Sequence, residues 1–227
     1  MLKIFATEVI DPEWGNYFVL TVWGYMALIA LLLCVLLAAA FVSKSHRLST
    51  KQLVFCAMAM ALATVTSYLK IWRMPMGGSV TLLSMLFISL VGYWYGLRTG
   101  LLTAIAYGLL QLIIDPYVIS LPQLFIDYIF AFGALGFSGL FSNIKNGLYK
   151  GYLASILGRF VFAFISGVAF FGSSASGYGM SVPIYSICYN GAYIFTEAII
   201  TLIVIALPPV KNALMSLKIL AVKNTAL

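Results

Sequence analysis

The sequence predicts an all-α membrane protein with seven transmembrane helices, on three observations. First, 63% of the 227 residues are hydrophobic and 8% are charged, with a mean hydropathy of +1.06. A soluble domain carries roughly 25% charged residues. Second, apolar stretches recur at about the 20-residue length that crosses a hydrocarbon core. They cover roughly 17–42, 52–71, 80–96, 101–114, 122–141, 152–172 and 184–207, the fourth short enough to be tilted or broken. Third, lysine and arginine collect on alternate connections.

Each stretch has its own signature. The first, YFVLTVWGYMALIALLLCVLLAAAFV, ends in small residues as a signal peptide does. It lacks a basic leading region and far exceeds an apolar region of about 7–15 residues, so a retained helix is expected. The second contains CAMAMALA, which sets Ala57 and Ala61 on one face with Ala59 and Ala63 beside them. Small residues at this spacing permit close helix approach, either inside the bundle or against another membrane protein. The fifth, PQLFIDYIFAFGALGFSGLF, carries Asp127, then Gly133, Gly136 and Gly139 at every third position, read as helix packing. The sixth and seventh contribute Arg159 and Glu197. On adjacent antiparallel helices these two are predicted to form a structural ion pair, with a proton relay as the alternative.

Orientation follows from the basic residues. Lys44, Arg47, Lys51, Arg98, Lys145, Lys150, Lys211, Lys218 and Lys223 fall on one side, and Lys3 and Arg73 on the other. That places the N-terminus outside and the C-terminus in the cytoplasm. Three regions result: 1–50, an extracellular N-terminus with the first helix and a basic cytoplasmic loop; 51–210, the membrane domain; and 211–227, a basic cytoplasmic tail. The net charge of +7 is spread through short loops, which points to topology and lipid headgroups, not nucleic acid. Cys34, Cys56 and Cys188 lie in apolar runs with no metal or disulfide spacing.

Depth, counted at 1.5 Å per residue, brings polar groups together. Asp127, Asn190, Ser166 and Gly167 reach one level, roughly 8–10 Å below the outer surface. Tyr117 and Tyr185 flank it, and Tyr128, Phe164, Phe170, Phe171, Tyr189 and Tyr193 surround it. An intramembrane carboxylate marks a functional site by default. With rings and an amide around it, it suits a flat, cationic or amine-bearing ligand. The connection Arg73–Ser79, RMPMGGS, reads either as a lid with glycine hinges or as a plain turn. Enzyme signatures are poor. The single histidine, His46, lies in a basic loop, so no two-histidine metal site or Ser–His dyad forms at membrane depth. No GxxxxGK[ST] occurs, so ATP is not hydrolysed by that motif. No cofactor or metal is expected.

The stretch MGGSVTLLSMLFISLVGYWYGLRTGLLTAIAYGLLQ, followed by PQLFIDYIFAFGALGFSGLF, GRFVFAFISGVAFFG and PIYSICYNGAYIFTEAIIT, resembles the thiamine-specific membrane subunit of energy-coupling factor transporters. The resemblance covers about residues 50–210 and is most specific in DYIFAFGALGFSGLF and in the ISG and YNG triplets. It implies a six-helix substrate-binding subunit, here with one additional N-terminal helix. Such a subunit captures thiamine or a related small molecule outside a bacterial cell membrane. It works with a transmembrane coupling subunit and two cytoplasmic ATPase subunits, docking through an alanine face that falls on Ala57 and Ala61. The ligand positions implied are Asp127, Tyr128, Tyr117, Gly167, Phe171, Tyr185 and Asn190. The family often has Glu at Asp127, His at Ala163 and Trp at Phe171, which leaves a related pyrimidine, a thiazole or another vitamin open as ligand. From the residues alone, an autonomous ion-coupled transporter using Asp127 and Glu197 also stays open.

Overall fold

Helices are the rule because a chain in hydrocarbon must satisfy its backbone polar groups internally. The computed structural model describes residues 4, 6–9, 17–27, 30 and 48–223. In chain order these form strands β1 (Ala6–Val9) and β2 (Tyr17–Leu20), helix α1 (Thr50–Ser67), and strands β3 (Lys70–Arg73) and β4 (Ser79–Thr81). Helices α2 (Ser84–Tyr95), α3 (Leu97–Ile114) and α4 (Leu121–Phe141) follow. Then come α5 (Gly147–Phe170), the short α6 (Gly172–Ser176), α7 (Val182–Ala206) and α8 (Pro208–Val222).

Five of these, α1, α3, α4, α5 and α7, are long and apolar enough to cross a membrane. The sixth, α2, has 12 residues, about 18 Å at 1.5 Å each, short of the roughly 30 Å hydrocarbon core. Its residues from Ser84 to Gly92 are almost all buried, so it lies among the other helices. An irregular lead-in through β4 is tolerated there because protein, not lipid, surrounds it. Met85, Ile88, Tyr107, Leu135, Tyr152, Ile156 and Ile194 form the centre of the core.

Three sequence expectations change. Tyr17–Leu20, expected to open the first span, pairs antiparallel with Ala6–Val9, Tyr17 opposite Val9 and Leu20 opposite Ala6. The run Tyr-Phe-Val-Leu suits a strand. Residues 22–27 are helical; most of the rest of 17–42, and the loop with Lys44, His46 and Arg47, lie outside the described residues. The end of the second span, read to 71, instead enters the β3–β4 hairpin, which turns at Met76 (φ 57°) and Gly77 (φ 89°). The broken helix is the fifth span, not the fourth. Within α4, Leu121–Leu124 is α-helical, Phe125–Phe130 is π-helical and Ala134–Phe141 is 3₁₀.

That 3₁₀ segment explains the glycine spacing. A 3₁₀ helix has three residues per turn, so Gly133, Gly136 and Gly139 share one face. A Cβ at Gly136 would stand 2.4 Å from Leu101 N, one at Gly139 would stand 2.3 Å from Leu97 N, and one at Gly133 would meet Ile105 Cγ1 at 3.2 Å. The contacts step three residues along α4 and four along α3. Three residues at about 2.0 Å and four at about 1.5 Å both advance about 6 Å. The two unlike helices therefore stay in register while their backbones touch.

The basic tail is helical as far as Val222 and is tied back to the bundle. Lys51 Nζ donates to the carbonyls of Lys223 (2.7 Å) and Leu220, satisfying the end of α8. Lys218 Nζ sits 3.8 Å from the centre of the Tyr93 ring and donates to the Ser142 carbonyl.

Gly136→Ala is expected to cost about 1–3 kcal/mol by overpacking and to lower the melting temperature in detergent by several degrees. Gly133→Ala, which meets only a side chain, should be mild. Equal effects of the two would refute the matched-register packing.

Candidate functional site

The hairpin and helices α3, α4, α5 and α7 enclose a cavity of about 460 Å³, within the roughly 300–1,000 Å³ usual for small-molecule sites. Asp127, Tyr128, Tyr117 and Gly167 all line it, with Phe171, Tyr185 and Asn190. The depth count thus gathers residues that the fold does bring together.

The Asp127 wall is built from a helix start. Ser120 caps α4, its Oγ accepting from the Gln123 N–H at 3.3 Å, and Pro122 occupies the first turn, where its missing donor costs nothing. Gln123, 1% exposed, turns its amide inward. Its Nε2 donates to Asp127 Oδ2 at 2.6 Å and to the Tyr117 carbonyl at 3.1 Å, and its Oε1 accepts from the Ile119 N–H at 3.1 Å. Asp127 itself lies in the π-helical turn, a distortion that recurs at functional sites. Tyr128 lines the cavity and also has a structural task. Its hydroxyl accepts from the Tyr117 N–H (2.8 Å) and donates to the Asp115 carbonyl (3.1 Å), bracing the loop before α4. The loop in turn sets the Tyr117 ring on Phe171, with centroids 6.1 Å apart and planes 24° apart.

The opposite wall depends on Gly167. A Cβ there would fall 2.2 Å from Ser186 Oγ and 2.9 Å from Asn190 Nδ2. Its bareness lets α5 and α7 meet at Asn190, whose Nδ2 donates to the carbonyls of Ser186 (3.0 Å) and Ala163 (3.2 Å). Asn190 Oδ1 accepts from the Tyr193 hydroxyl at 3.1 Å. Above it, Tyr178, Tyr185 and Tyr189 stack in succession at 5.4 and 5.9 Å. Ser166, 1% exposed, also lines the cavity, and its hydroxyl has no hydrogen-bond partner among the described residues.

The Arg73–Ser79 connection forms the cavity's upper wall and is clasped on both sides. Tyr189 Oη donates to the Pro75 carbonyl and accepts from the Gly78 N–H at 3.1 Å. Lys70 and Arg73 pair with Asp115, the Arg73 Nη2 to Oδ1 distance being 3.6 Å. Gly77 lies against Tyr117.

The predicted Arg159–Glu197 ion pair is not formed. Glu197, 2% exposed, spends its carboxylate on the start of α2. Oε2 accepts from the Thr81 hydroxyl (2.5 Å) and N–H (3.2 Å), and Oε1 from the Met85 N–H (3.0 Å) and Ser84 hydroxyl (3.1 Å). Arg159 instead lies over the Phe132 ring, 4.2 Å from its centre, on the cavity wall. Helix adjacency is visible in sequence; the competing donors of a β4–α2 junction are not. Gln123 was missed altogether, although its place four residues before Asp127, one helical turn, is a usable signal. Ala57 and Ala61 lie on the exposed side of α1, with Leu53, Met58 and Leu62, while Ala59 and Ala63 face the bundle.

The sequence profile described as "Thiamine transporter protein" matches residues 53–217. The chain belongs to this thiamine transporter family. One relative of this thiamine transporter family member, the thiamine transporter ThiT of Bacillus subtilis strain 168, is 38% identical over 148 residues, 59% of this chain and 76% of that one. A solved structure of ThiT from Listeria monocytogenes shares the all-helical membrane fold, with a TM-score of 0.56 and 24% identity over 70% of this chain and 94% of that one. The family profile begins at residue 53, after the N-terminal strands. Membership sets the chain among transport proteins, not enzymes.

Glu197→Gln removes a charged acceptor of hydrogen bonds worth about 1.5–3 kcal/mol and is expected to lower the melting temperature in detergent clearly. Because Arg159 and Glu197 serve different partners, the effects of Glu197→Gln and Arg159→Met should add. Mutual rescue in the double variant would restore the ion-pair reading.

Proposed function

We propose that this family member is the substrate-binding subunit of an energy-coupled importer, capturing thiamine at the outer face of the membrane. The observation that carries the reading is the Asp127 carboxylate, set among aromatic rings with one oxygen held by Gln123. Thiamine joins an aminopyrimidine to a positively charged thiazolium. Oδ1 of Asp127 accepts from the exocyclic amine, and the carboxylate attracts the cation. Tyr117, Phe171 and Tyr185 offer faces for two flat rings, one of them cationic. Arg159 and the Ser166 hydroxyl supply donors for ring nitrogens and for the hydroxyethyl tail, and Asn190 Oδ1, with one lone pair left beside the Tyr193 hydroxyl, offers an acceptor. The hairpin closes the site from above. The Asp side chain here is shorter than the family's usual Glu, and Gln123 offsets the difference by fixing the acid from behind.

Transport in this reading needs partners: a transmembrane coupling subunit, docked on the Ala57 and Ala61 face of α1, and two cytoplasmic ATPases. The N-terminus lies outside and α8 on the cytoplasmic side, as the lysines and arginines direct.

Purified protein titrated with thiamine should give a saturable change in tryptophan or tyrosine fluorescence. Asp127→Asn should weaken binding about 10- to 100-fold, the worth of a hydrogen bond to a charged acceptor. A flat titration of the wild-type protein would exclude thiamine. In liposomes, uptake should require co-reconstituted coupling and ATPase subunits; uptake by the chain alone would favour the ion-coupled transporter. Ala57→Trp with Ala61→Trp should abolish uptake and spare thiamine binding.

A further inference from the structure

We infer that Gln123 is a positioning residue that makes Asp127, the Tyr117 loop and the tip of the lid hairpin a single unit. The inference rests on the thiamine reading above and adds a residue to it. Gln123 has four polar contacts on two segments, the loop that ends at Ser120 and helix α4. Its main-chain N–H is held by the Ser120 cap at 3.3 Å, which fixes its Cα. Its Nε2 holds Asp127 Oδ2 at 2.6 Å and the Tyr117 carbonyl at 3.1 Å. Its Oε1 holds the Ile119 N–H at 3.1 Å. An amide has two N–H donors and one carbonyl acceptor, so the side chain has both donors committed and its acceptor in use.

Two consequences follow for the ligand. One oxygen of Asp127 is committed, so the free oxygen has a set direction. The same Gln123 amide fixes the Tyr117 main chain, whose side chain stacks on Phe171 and abuts Gly77 at the hairpin tip. A displaced Asp127 therefore displaces a wall of the cavity and a contact of its lid together. Gln123 is buried at the cavity wall, and its amide is spent on Asp127, Tyr117 and Ile119, so it acts on the ligand through them.

Thermodynamic coupling separates positioning from plain support of the fold. Gln123→Met keeps the volume and removes all three side-chain hydrogen bonds. With thiamine as the probe and affinity read by fluorescence or calorimetry, it should weaken binding about 10- to 100-fold in the wild-type background. On an Asp127→Ala background the same change should cost clearly less, only the share that Gln123 contributes through the Tyr117 loop. Equal penalties in both backgrounds, or wild-type affinity in Gln123→Met, overturn the inference.

Gln123→Glu gives a second reading that does not depend on the methionine variant folding. It keeps the acceptor for Ile119 and sets two carboxylates in contact, which must share a proton. The other charged groups on this cavity are Asp115, Lys70 and Arg73 at the hairpin, Arg159 from α5 and Glu197 from α7; all are unchanged in the variant. Its affinity relative to wild type should rise about tenfold from pH 8 to pH 6, as the shared proton restores the contact. A ratio independent of pH overturns the inference. No thiamine response from the wild-type protein would sink the ligand reading and this inference with it. A wild-type response without coupling sinks only this one.

Discussion

A carboxylate can stay inside an apolar bundle only where the protein supplies donors for it, and this chain supplies them in two ways. Glu197 accepts four hydrogen bonds from Thr81, Ser84 and Met85. Both its oxygens are spent, and the result is a weld between α7 and the junction of hairpin and short helix. Asp127 is held by Gln123 at 2.6 Å, with the Ser166 hydroxyl close to the same carboxylate. Its second oxygen is left on a cavity wall. The same chemical group is thus structural in one place and available in the other, and the number of donors decides which.

The bundle is shaped around that difference. The hairpin has to stand at the cavity for Tyr189 to clasp its tip and for Asp115 to pair with Lys70 and Arg73. It stands there because Glu197 fixes its far end. Helix α4 has to change geometry along its length. Its π-helical turn sets Asp127, and its 3₁₀ end lets glycines run against α3 at a shared step of about 6 Å. A uniform α-helix would have rotated Gly133, Gly136 and Gly139 off a single face. The distortion that serves the site and the packing that holds the helix are consecutive parts of one segment.

Much of this was legible in the sequence, for identifiable reasons. Hydropathy marks spans because lipid leaves few alternatives, and α3, α4, α5 and α7 appear close to where it places them. Counting residues from the helix ends brought Asp127, Gly167 and Asn190 to one level, because an α-helix has a fixed rise. What failed was anything that depends on competition between partners. Arg159 and Glu197 are opposite charges on neighbouring helices, but Glu197 found uncharged donors nearer. Tyr17–Leu20 is apolar enough for a membrane and β-prone enough for a strand, and pairing with Ala6–Val9 decided it. The every-third-residue glycines held a legible signal of 3₁₀ geometry, since a period of three fits that helix better than a period of 3.6.

The short acid at position 127 is the place where these strands of argument meet. A Glu there would carry its carboxylate one methylene further from the backbone, past an amide that now meets Asp127 Oδ2 at 2.6 Å. An Asp reaches that amide, and the amide is itself tied to the Tyr117 carbonyl and the Ile119 N–H. The charge is therefore held by a neighbour one turn back, not by its own reach. A longer acid would be more mobile and would lose more rotamer freedom on binding. The shorter one reaches less far but, in the proposed site, is oriented before the ligand arrives, which is where preorganisation contributes to affinity. The ring at Phe171 fits the same logic, since Tyr117 already lies stacked on it and enlarges the aromatic surface. Asp127 is backed by Gln123, and Phe171 by Tyr117, which belongs to the loop that Gln123 holds.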